Sequence, residues 1–137
     1  MICGKFYLEN YANWQISYYL IADELDAAKI VRKLSSLGCS KKFKKRAAEL
    51  LGSGKRNIGL AYSKPNRRAS IIVVSQTTNI WEFFNSFAHE LDHIEKHIAR
   101  ALGFSPYSED ASYLVGEFVR NMLYTISTNL HIKNKLC

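Results

Sequence analysis

The sequence predicts a single α+β domain spanning residues 1–137: a small three-stranded sheet packed on a long helix, with another helix after it. Three observations lead there. The segments WQISYYLI and SIIVV have the composition of strands, and apolar residues from Ile80 to Leu102 recur at three- and four-residue steps. The predicted elements follow one another as β-α-α-β-β-α-α, with all three strands ahead of the long helix. At 137 residues and 47% hydrophobic content the chain suits one compact core and is short for two. No internal repeat or low-complexity segment interrupts it.

The first strand covers Trp14 to Ile21, where Trp14, Ile16, Tyr18 and Leu20 share one face. A helix follows over roughly Glu24 to Leu37, with Ala28, Ile30, Val31 and Leu34 as its stripe and Gly38 as its stop. A second, basic helix runs from about Lys41 to Leu51 and ends at Gly52. Asn57 to Tyr62 and Ala69 to Ser75 read as two strands of a hairpin, with Pro65 and Asn66 in its turn. SIIVV is apolar on both sides, so cover is expected on both faces. Asn79 is placed to cap the long helix, with Glu82 three residues later. Ile80, Phe83, Phe84, Phe87, Leu91, Ile94, Ile98 and Leu102 form its stripe, and Gly103 ends it. The last helix, about Ser108 to Leu130, repeats Leu114, Phe118, Met122 and Ile126 every four residues.

Nothing in the first residues reads as a secretion signal, and no window approaches a membrane span. Cys3, Cys39 and Cys137 are odd in number, far apart and without CxxC spacing, which reads as three reduced thiols in a cytoplasmic protein. The net charge of +7 is uneven. Residues 32–68 hold twelve Lys or Arg against one acid, Glu49, so this window carries +11 and the rest of the chain −4. Such a face keeps a protein soluble or docks an acidic partner protein. Phe43 is the one aromatic inside the basic cluster and no nucleic-acid reading motif is present, so nucleic-acid binding is not expected.

The chemistry concentrates in HELDH, residues 89–93. On a helix His89 and His93 lie one turn apart on one face, off the apolar stripe and among Asn85, Ser86, Lys96 and Arg100. Two imidazoles so spaced bind zinc, and Glu90 between them can take a proton from the zinc-bound water. A third protein ligand is needed. His97 is eight residues from His89, about 12 Å along the axis, too far to share a metal with it, and is expected to be solvated. His131 is discounted near the C-terminus. The better source is the next helix, which returns antiparallel after a short turn. Glu109 on its first turn leads, with Glu117 and Asp110 as alternatives.

HELDH on a long helix with a glutamate on the next resembles the zincin metallopeptidases of the glutamate-ligand kind, the gluzincins. The segment SEDASYLVGEF is similar to the E-x-x-A-Y-L pattern after HExxH in small zincin-like proteins of Bacteroides-type bacteria and their phages, with Ser112 in place of the alanine. The resemblance implies a zinc-dependent peptidase with ligands His89, His93 and Glu109, Glu90 as general base, and an outer strand that pairs with an extended peptide. Gluzincins often carry an acid four residues after the ligand glutamate, and here that place is Tyr113. A tyrosine there would hydrogen-bond a histidine, donate to the oxyanion, or pack as a core aromatic. The chain lacks the second lobe of larger relatives. The alternative is therefore a zincin-like binding or assembly protein that keeps a zinc site.

Overall fold

The computed structural model describes residues 1–131. It contains strands β1 (Ile2–Leu8), β2 (Trp14–Ala22), β3 (Gly59–Lys64) and β4 (Ala69–Ser75) and helices α1 (Ala27–Ser36), α2 (Lys41–Gly52), α3 (Ile80–Leu102) and α4 (Glu109–His131). Short 3-10 turns precede α1 and join β3 to β4. The four strands form one mixed sheet in the order β1-β2-β4-β3, in which β2 and β4 are parallel and the two edge strands antiparallel to their neighbours. The domain is α+β as expected, but the sheet has four strands where three were expected.

The extra strand is β1. Its sequence ICGKFYL breaks the apolar alternation with Gly4 and Lys5, so its period is weak. Pairing supplies what its composition lacks: Phe6 lies opposite Ile16 and Leu8 opposite Trp14. Residues 9–13 close the hairpin, with Ala12 and Asn13 at positive φ.

Alternation sends each strand to two cores. Trp14, Ile16, Tyr18 and Leu20 of β2, with Ile72 and Val74 of β4, meet Phe87, Leu91, Ile94 and Ile98 of α3 and Leu114, Phe118 and Met122 of α4. Ile71 and Val73 turn the other way, onto Ile30, Leu34, Ala47 and Leu51 of α1 and α2. SIIVV is thus covered on both faces, as its composition predicts. Strand β1 also decides where α4 goes. Phe6 packs edge-on against Phe118 at 5.2 Å, so α4 roofs the β1 side of the sheet while α3 crosses the β4–β3 side.

The ends of α3 follow the sequence. The Asn79 side chain accepts from the Glu82 amide at 2.9 Å, and Gly103 closes the helix at φ 82°. Two members of its predicted stripe, Ile80 and Phe84, are exposed instead of buried. Cys39 is a half-buried free thiol, whereas Cys3 is disulfide-bonded, against the expectation of three reduced thiols. Sequence spacing does not foretell such a bond, which depends on the fold bringing two sulfurs together. Cys137 and the side chain of His131 lie outside the described residues. No helix among the described residues is long and apolar enough to cross a membrane.

Candidate functional site

The site grows from the crossing of α3 over the edge strand β3. On β3, Leu60 and Tyr62 face α1 and α2, which leaves Gly59, Ala61 and Ser63 facing α3. Glu90 lies on Gly59 and His97 on Ser63. The contact at Gly59 is so close that a β-carbon there would come within 2.6 Å of Glu90 Cγ and 2.8 Å of Oε1. A glycine is required because a carboxylate side chain occupies the space a larger residue would take. Glu90 is only 7% exposed. Burial raises its pKa, and the charges of His89 and His93 pull it back down.

His89 and His93 stand beside it on the exposed face. Their rings are 4.8 Å apart at 81°, and their Nε2 atoms are separated by 3.2 Å. Two zinc-bound imidazoles at about 2.05 Å and a tetrahedral angle would have nitrogens roughly 3.3 Å apart. The separation matches that of two ligands of one metal, and it is equally that of a hydrogen bond between the two rings. The fit extends to two donors: among the described residues no group of three His, Cys, Asp or Glu side chains converges on one point.

The other candidates sit elsewhere. Glu117, 8% exposed, accepts from Asn10 Nδ2 at 2.9 Å and has Arg120 at 3.8 Å. It ties α4 to the β1–β2 turn, and its Oε2 is buried without a partner. The Asp110 carbonyl accepts from the Tyr11 hydroxyl at 2.7 Å in the same corner. Tyr113 is 69% exposed and shares a pocket with Asn10, Tyr11 and Glu117. This corner belongs to β1, the edge opposite β3. Glu109 is exposed on the first turn of α4 and makes no hydrogen bond or ion pair among the described residues. The structure thus brings together His89, Glu90 and His93, and does not join Glu109, Asp110, Tyr113 or Glu117 to them.

His97 departs from its expected solvation. It is half-buried, and its Nδ1 lies 2.8 Å from Ser63 Oγ. Ser63 Oγ is 2.7 Å from Ser70 Oγ, which is 2.9 Å from Trp14 Nε1. Burial, then His93 and Arg100, lower the His97 pKa. This buried polar thread joins residues far apart in the chain, and no local pattern in the sequence signals it.

Comparison with known proteins finds no matching family model, no similar curated protein and no similar solved structure.

Proposed function

We propose that this chain is a zinc-dependent peptidase whose base is Glu90. The observation that carries the reading is the 3.2 Å separation of His89 and His93 Nε2 atoms beside a carboxylate buried under the edge strand. His89 and His93 would hold the metal. Glu109 stays the proposed third protein donor on the strength of the resemblance, since its carboxylate is uncommitted whereas Glu117 is engaged by Asn10, and it would have to move from its place in this structure to reach the histidines. When bound, zinc supplies Lewis acidity and an acidified water.

The chain's own residues do the rest. Glu90 is not needed as a ligand, so its carboxylate is free to take a proton from the attacking water and return it to the leaving amine. Gly59 lets that carboxylate lie close beneath the strand instead of swinging into solvent. Strand β3 is a sheet edge, and its outward amides and carbonyls can add an extended peptide as a further strand. Tyr113 lies in the corner at the opposite edge, away from the histidines, and takes no part in this reading.

Glu90→Gln should keep zinc and fold but lose cleavage of a peptide library. A wild type that binds zinc stoichiometrically yet cleaves nothing would favour the second reading, a zincin-like binding or assembly protein. That reading draws on the absence of a converged three-donor group among the described residues. Its partner would dock on the basic face at residues 32–68.

A further inference from the structure

Beyond His89 and His93 along α3 lies a pocket of about 360 Å³ lined by Ser63, Pro65, His97, Arg100 and Ala101. It sits four residues along β3 from Gly59, about 13 Å for an extended strand. The hydrogen-bond thread lies behind it. The Trp14 indole can only donate, so Ser70 Oγ accepts there and its own proton goes to Ser63. Ser63 Oγ, 2.8 Å from His97 Nδ1, donates to it in one tautomer of the ring and accepts from it in the other. In the tautomer in which Nδ1 accepts, Nε2 carries the N–H, and we take this form as the one that meets a ligand in the pocket.

Beside it, Arg100 is exposed and in no ion pair: the ion pairs among the described residues are Lys96–Asp92 and Arg120–Glu117. Pro65 and Ala101 form apolar walls. One imidazole able to donate, one unpaired guanidinium and no acid in the lining match a carboxylate, which accepts from both, and Arg favours its planar geometry.

We propose that this pocket binds a carboxylate of the peptide substrate about four residues from the bond to be cut, with His97 and Arg100 as the specificity-determining residues. This rests on the peptidase reading for the identity of the ligand. The carboxylate belongs either to the peptide's C-terminus or to an acidic side chain.

The test uses the full chain as Glu90→Gln, so that binding is read without turnover. Three N-terminally labelled hexapeptides are titrated by fluorescence anisotropy: a free acid, its C-terminal amide, and the amide with one internal glutamate. At least one carboxylate-bearing probe should bind about tenfold tighter than the neutral amide. Which one binds best assigns a terminal or a side-chain carboxylate. Adding Arg100→Gln should abolish the preference, and adding Ser63→Ala should weaken it. Equal binding of all three, a preference that survives Arg100→Gln, or no binding at all would overturn the proposal. Carboxylate preference in a wild type that cleaves nothing removes the hydrolytic reading and leaves the pocket. Equal cleavage of acids and amides, with equal binding, removes the pocket and leaves the peptidase.

Discussion

Replacing Gly59 with alanine tests the central contact without touching Glu90 or either histidine. Gly59 has no positive φ, so the backbone accepts alanine. The new methyl would meet Glu90 Cγ at 2.6 Å, Oε1 at 2.8 Å and Cδ at 3.0 Å. Carbon–carbon contacts settle near 3.5–4.0 Å, so the Glu90 side chain must retreat by about 1 Å. Overpacking of this kind costs about 1–3 kcal/mol, offset by about 0.5–1 kcal/mol because alanine loses less backbone entropy than glycine in a strand. The net loss of stability should be about 0–2.5 kcal/mol, which leaves the protein folded. A base misplaced by about 1 Å costs on the order of 100-fold in rate.

A double-mutant cycle read by urea denaturation isolates the contact even where no substrate is known. In a Glu90→Ala background the space is vacated, so Gly59→Ala should become neutral or stabilising. The two substitutions should then be non-additive by about 1–3 kcal/mol. Additivity within about 0.5 kcal/mol would show that Glu90 does not lie on Gly59, and the placement of the base would fall with it. If cleavage is measurable, Gly59→Ala should add nothing to the defect of Glu90→Gln.

Protein purified without added metal should carry one zinc per chain, lost in His89→Ala. Glu109→Ala should lose affinity and Glu117→Ala retain it, and elemental analysis showing the reverse would reassign the third donor. Neutralising Lys41, Lys42, Lys44 and Lys45 should leave stability within about 0.5 kcal/mol, since all four are exposed and in no ion pair among the described residues. Gel shifts of the wild type at 150 mM salt should show no tight DNA or RNA binding. Burial raises the pKa of Tyr11, with Glu117 and Asp110 adding to it, and burial alone raises that of Tyr19. Their neutral forms are favoured by folding, so this contribution is intact below the unfolded value near 10 and is lost as pH rises through the higher folded values. Stability should therefore fall above pH 10 by fluorescence-monitored unfolding, and less steeply in Tyr11→Phe.

The sequence made legible what depends on local period. Asn79, Gly103 and the four-residue step from His89 to His93 are fixed by helix geometry, and the structure keeps them. Strand β4 was readable because its apolar run admits few other placements. What was not legible depends on partners distant in the chain. Strand β1 carries Gly4 and Lys5 in an edge position, where pairing with β2 outweighs its own weak pattern. Missing that strand had a consequence for the site. With three strands, the last helix would return beside the histidines and its acids would face them. With four, α4 is drawn over β1 through Phe118, and Asp110 and Glu117 meet Tyr11 and Asn10 on the far edge. The meaning of Gly59 was equally hidden, since a glycine near a strand's start has many uses, and only the crossing of α3 shows that this one makes room for Glu90. The same crossing sets Ser63 under His97, thirty-four residues away, and brings a histidine expected in water into hydrogen-bond contact with the sheet. The geometry of α3 over β3 thus places both Glu90, the proposed base, and His97 along one edge, the side on which a peptide would add to the sheet.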